Sequence, residues 1–144
     1  MRLATVAFAN SLRYLAVALV SGAALVPASR ADCPIDLSGQ WAGNWRSCTS
    51  GHSGPLKATV CKCDETHYQV RFRGRFFGVI PFRYEVTLEV VGQDKDRVFL
   101  SGEAYLGHLF GTFHYQAEAT ECEFRATYTS CRDNGTFCLT RTCH

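Results

Sequence analysis

From His67 to Val91 the chain alternates apolar and polar residues with a period of two. Tyr68, Val70, Phe72 and Phe76 fall on one side, and Ile80, Phe82, Tyr84, Val86, Leu88 and Val90 resume the same parity. Gln69, Arg71, Arg73 and Arg75, then Arg83, Glu85, Thr87 and Glu89, take the other side. Successive side chains of an extended chain point to opposite faces, so this pattern is that of a half-buried strand. Gly78 interrupts the run where a hairpin must turn. A long antiparallel hairpin follows, dry on one face and wet on the other.

The rest of the chain repeats that pattern. Trp41, Gly43 and Trp45 share a face, as do Leu56, Ala58 and Val60 in a strand expected from Leu56 to Cys63. Later come Val98, Leu100, Gly102, Ala104 and Leu106; Phe113, Tyr115, Ala117 and Ala119; Phe124, Ala126 and Tyr128; and finally Phe137 and Leu139. No stretch carries a helical period, and the links are short. The expected fold is all-β, an eight-stranded antiparallel up-and-down meander. Closure into a barrel leaves no unpaired edge, with a two-sheet β-sandwich as the alternative. Gly43, Gly74 and Gly102 favour the barrel, because tightly bent strands tolerate glycine best.

Residues 1–31 read as a secretory signal peptide: Arg2 and Arg13 precede the apolar run Tyr14–Val26, and Ser29-Arg30-Ala31 supplies small residues before a cut ahead of Asp32. Residues 32–144 then form one domain, secreted or periplasmic. Arg2, Arg13 and Arg30 leave with the leader, so the formal charge of +2 becomes −1, twelve basic residues against thirteen acidic. That balance predicts no nucleic-acid partner. The apolar run is too short for a membrane span. All eight cysteines lie beyond the leader, and an even count in an oxidising compartment reads as disulfides. If Asn134-Gly135 makes a two-residue hairpin turn, Cys131 and Cys138 face each other within disulfide reach.

Up-and-down connectivity sorts the loops into two ends. One end gathers Cys48–Gly54, Phe77–Val79, Gly107–Gly111 and the Asn134-Gly135 turn, and is rich in glycine, histidine and aromatics. A ligand entering there meets His52, His108 and Phe110 at the mouth and Trp45, Phe72, Tyr84, Tyr115 and Tyr128 on the walls. The competing expectation is that these rings simply fill the barrel. Arg71, Arg73, Arg75 and Arg83 make an outward basic patch, read as a solvated face that discourages sheet pairing or as a site for an anionic partner. No nucleophile elbow, metalloprotease helix or phosphate-binding glycine loop is present, so neither an enzyme nor a cofactor is expected. Cys61-Lys62-Cys63 lacks the spacing of a zinc site, and no metal is expected.

Gly39-Gln40-Trp41 at the start of the first strand, followed by the Ser/Gly loop Cys48–Gly54 and a run of hairpins, resembles the calycin barrels, meaning lipocalins and avidins. The lipocalin resemblance implies that Trp41 lies near the closed end and that a late basic residue, Arg141, covers it. The avidin resemblance implies that Ser47 occupies the place of a ligand serine. Gly43 stands where avidins place an asparagine, so biotin binding does not carry over. The chain also resembles a bacterial secreted family to which no activity attaches. The expected function is a secreted small binding protein holding an apolar or aromatic ligand. The alternative is an envelope interaction protein with a filled core and a basic face. The sequence sets no oligomeric state.

Overall fold

The computed structural model describes residues 35–142. The expected signal peptide, Cys33 and Cys143 lie outside the described residues. Eight strands follow in order: β1 (Gly39–Ser47), β2 (Ser53–Lys62), β3 (His67–Phe76), β4 (Ile80–Asp94), β5 (Arg97–Tyr105), β6 (Thr112–Ala119), β7 (Glu123–Thr129) and β8 (Asn134–Arg141). Each pairs antiparallel with the next, and β8 returns to pair with β1, closing a barrel rather than a sandwich. The alternation in the sequence is the alternation in burial: β7 runs exposed, buried, exposed through all seven of its residues. β2 begins three residues earlier than its apolar pattern suggests, because Ser53, Gly54 and Pro55 pair with Arg46, Trp45 and Asn44.

The lower half of the barrel is filled. Trp41 is 1% exposed, packs against Phe124 and faces the buried Ala58 across the β1–β2 ladder. Its Nε1 donates to the Leu37 carbonyl at 3.0 Å. Arg141 lies over the ring, its guanidinium carbon 4.6 Å from the centroid, and donates to the carbonyls of Ser38, Asp36 and Glu121. One side chain thus pins the segment before β1 and the β6–β7 turn across the barrel floor. Stacking on the indole face adds cation–π attraction to those bonds.

The β7–β8 turn corrects the sequence reading. Thr129 faces Asn134 and Tyr128 faces Gly135, so the turn is Ser130-Cys131-Arg132-Asp133 and Asn134-Gly135 belongs to the strand. Ser130 closes the turn, its N–H and hydroxyl both donating to the Asp133 carbonyl. Gly135 serves close approach instead of turning: a Cβ there collides with the Arg46 carbonyl oxygen and the Tyr128 ring. In this register Cys138 faces Arg125 on one side and Asn44 on the other, and Cys131 sits in the turn. The expected Cys131–Cys138 disulfide is therefore not formed. The six described cysteines, Cys48, Cys61, Cys63, Cys122, Cys131 and Cys138, are all free and exposed.

Among the described strands, the β4–β5 seam leaves the longest stretch with a single partner. β4 pairs with β3 along its length from Ile80 to Glu89, but its ladder with β5 runs only from Asp94 to Thr87, with a bulge between Val90 and Gly92. Residues Ile80 to Val86 therefore have a partner on one side only. The barrel is zipped at its floor and parted along this seam toward the mouth.

Candidate functional site

The upper half of the barrel is a cup of about 690 Å³. Its walls are Trp45, Phe76, Phe82, Tyr84, Phe113, Tyr115, Tyr128 and Phe137, placed there by the inward parity of β1, β3, β4, β6, β7 and β8. The rings contact one another both along the wall and across it, Trp45 of β1 lying 6.1 Å from Phe82 of β4 between centroids. Phe76 and Phe82 lie 4.4 Å apart between centroids, Tyr84 and Tyr115 6.2 Å, Phe113 and Tyr128 5.6 Å, and Tyr128 and Phe137 5.1 Å. Such ring pairs hold one another's orientation beyond simple burial. Gly74 makes this possible on β3, since a Cβ there would occupy the place of the Phe82 ring.

Trp45, Tyr84, Phe110, Tyr115 and Tyr128 line the cup, as do Phe82, Phe113 and Phe137, inward residues whose parity was legible but whose part in the cup was not. Phe72 lies lower, 1% exposed, packed on Tyr84 and Phe137 as part of the floor. The two histidines do not face the cup. His52 sets its ring edge-on to Phe77 at 4.5 Å, and His108 shares a hydrogen bond of 3.1 Å with the exposed Tyr105 hydroxyl. Both are loop residues whose direction is set by a neighbouring ring, which strand parity cannot foresee. Leu106, Leu109 and Phe110 of the β5–β6 loop overhang the mouth, and Leu109 and Phe110 remain largely exposed.

One side of the mouth is fastened. Asp133 accepts from the Ser47 hydroxyl at 2.6 Å and from the Tyr128 hydroxyl at 3.0 Å, and Ser50 donates to Ser47 through both its N–H and its hydroxyl. Ser47 is thereby engaged with Asp133 in the described structure and is not a free ligand group. The opposite side is the parted seam. There Phe82, Arg83 and Tyr84 form one lip of a slot and Tyr105, Leu106, Leu109 and Phe110 the other, all lining the same space.

Two buried polar atoms belonging to residues of the cup wall, Trp45 Nε1 and Tyr115 Oη, make no hydrogen bond of 3.5 Å or less among the described residues. Their side chains are 4% and 2% exposed. Each unsatisfied buried group costs about 1–3 kcal/mol. Burial pushes the Tyr115 phenol up to about 12, the Tyr84 phenol pulling the other way. Burial raises Tyr84 and Tyr128 further, the Asp133 carboxylate adding to the effect at Tyr128. All three phenols are thus held neutral in the folded barrel. Unfolded tyrosines ionise near pH 10, so the stability tied to these groups is intact below that pH. It is lost as the pH rises from about 10 through 12. Tyrosinate absorbance and circular dichroism followed together should show three phenols titrating only as the β signal collapses. Ordinary titration of every tyrosine with the fold intact would remove this reading of the cup.

The outer basic patch differs by one member from the sequence reading, Lys57 joining it and Arg71 leaving it. Arg71 faces Glu85 across the β3–β4 ladder and pairs with it. One rung toward the mouth, Arg73 faces Arg83 on one side and Lys57 on the other, and Arg75 faces Pro81. These four cations border a surface cleft of about 580 Å³. Among the described residues none of the four pairs with an acidic side chain.

The sequence matches no protein-family model and no curated protein. Several solved structures are similar in fold, two of them as follows. The structure of EF1p2_mFAP2b bound to DFHBI superimposes with a TM-score of 0.54 at 14% identity, covering 74% of this chain and 94% of that one. A de novo designed fluorescence-activating β-barrel gives a TM-score of 0.50 at 14% identity, covering 73% and 93%. The shared feature is the closed antiparallel barrel. An eight-stranded closed antiparallel barrel fits a calycin-like fold.

Proposed function

We propose that this barrel is a secreted protein that binds, rather than transforms, a small apolar or aromatic molecule held in the cup. The observation that carries the reading is the pair of buried, unpartnered polar groups, Trp45 Nε1 and Tyr115 Oη, within an aromatic-lined space. Cavities of roughly 300–1,000 Å³ with apolar walls and a few polar groups are the usual form of a small-molecule site. A ligand that turns the Trp45 and Tyr115 rings enough to uncover these two atoms, and brings a polar atom to each, supplies what each group lacks. One structurally similar barrel has DFHBI bound, which agrees in kind. The histidines that could act as acid and base stand outside the cup, which favours binding over catalysis. The leader expected in residues 1–31 supports export.

Native mass spectrometry of the protein from its own source is the direct test. A retained small molecule is the expected result. A bare-chain mass, together with no thermal shift on adding aromatic probes, removes the reading. Tyr115→Phe sharpens it. Deleting an unsatisfied hydroxyl should leave the ligand-free barrel as stable as before or more so, by up to about 1–3 kcal/mol. It should weaken binding of the retained molecule about two- to tenfold. A destabilised variant with unchanged affinity would show that the hydroxyl is satisfied and serves packing alone.

A further inference from the structure

The parted seam and the unneutralised arginines meet at Arg83, which borders both the cup and the outer cleft. We propose that the ligand is an anionic amphiphile: its apolar body lies in the cup, passes the slot beside β4, and leaves its carboxylate, sulfonate or phosphate outside on Arg83 and Arg73. This rests on the ligand-binding reading above and adds the chemical class.

Three observations carry the assignment. First, the like charges are aligned. Lys57, Arg73 and Arg83 occupy facing positions on three neighbouring strands, and facing residues of an antiparallel pair lie roughly 4.5–5.5 Å apart between Cα atoms. Directly opposed like charges destabilise a sheet. The next rung solves the problem with Glu85 opposite Arg71; this rung has no carboxylate, and an anion fills that role. Guanidinium groups suit it, because their planar fork matches two oxygens of one acid group.

Second, the route is continuous. Phe82 and Tyr84 face the cup while Arg83 between them lies on the other face of the same unpaired edge. A molecule stacked on those rings and threading the slot emerges beside the Arg83 side chain. The far lip presents Tyr105, Leu109 and Phe110, all substantially exposed, which suits an apolar segment in passage.

Third, charge is divided between the ends. The closed-end turns carry Asp64, Glu65, Asp96 and Glu121 against Lys95, with Glu65 and Asp96 also beside Lys62 and Arg97. At the open end Asp133 is the acid that lines the cup, and both its carboxylate oxygens accept hydrogen bonds. Such an arrangement steers an anion to the mouth despite a net charge near zero.

The test compares two aromatic probes of similar size, anionic anilinonaphthalene sulfonate and neutral N-phenylnaphthylamine, by fluorescence titration on the full mature chain. The wild type should bind the sulfonate more tightly, with an affinity that falls as salt rises. Arg73→Gln/Arg83→Gln should weaken the sulfonate about tenfold and the neutral probe far less. Arg97→Gln/Arg125→Gln, which removes the same charge elsewhere, should change neither. Equal losses for both probes, or no loss for the sulfonate while the neutral probe binds, overturns the anionic class and leaves the cup intact as a site. Failure of the wild type to bind either probe overturns the ligand-binding reading itself.

Discussion

Trp41→Ala should cost the barrel about 3–5 kcal/mol, the usual range for deleting a fully buried ring from a core that cannot collapse. The indole is 1% exposed, holds the Leu37 carbonyl through Nε1, and is roofed by Arg141. Its ladder partners are Ala58 on β2 and Arg141 on β8, and Ala58 has no side-chain length with which to fill the space. The loss also frees Arg141, whose three carbonyl partners close the floor. Domains of this size are stable by only about 5–15 kcal/mol, so the variant should show a greatly lowered urea midpoint or fail to fold at body temperature. A change below about 1 kcal/mol would mean that the floor is not the core of this molecule.

Gly43→Ala should cost about 3 kcal/mol, the upper part of the range for overpacking. A Cβ at this position lands on the Cys138 carbonyl and lies 2.8 Å from the Leu139 Cα. Both are backbone atoms of β8, and no rotamer relieves the contact. Relief requires β1 and β8 to part, and theirs is the pairing that closes the barrel. Gly92→Ala is the matched control, since its Cβ meets only the Phe99 side chain at 3.6 Å. Thermal unfolding should separate the two clearly. Similar midpoints for both variants would show that β8 can shift away from β1 at little cost.

Period-two alternation made the strands and their inward faces legible, because a buried face leaves its mark on every second residue. It served well for Trp45, Tyr84, Tyr115 and Tyr128, which all sit on strands. It failed at the β7–β8 turn. Asn134-Gly135 has the composition of a tight hairpin, yet Ser130 and Asp133 form a longer turn, and the glycine answers to the Tyr128 ring instead. The disulfide expected from that turn moved out of reach with the register. Alternation is also silent on pairing. Nothing in the Ile80–Val86 pattern distinguishes a strand bonded on both edges from one bonded on one. The slot, the Arg83 crossing and the overhang of Leu109 and Phe110 therefore emerge only from the three-dimensional arrangement.

The half-open seam has a consequence for motion. The floor segments of the strands are clamped by two ladders, and exposing their amides to solvent exchange requires a larger opening. The β4 segment from Ile80 to Val86 is clamped on one side alone, so it opens at a smaller free energy than the floor. Admission of a guest and survival of the fold are thus governed by different hydrogen bonds, and the molecule can breathe at its lip while its base stays shut.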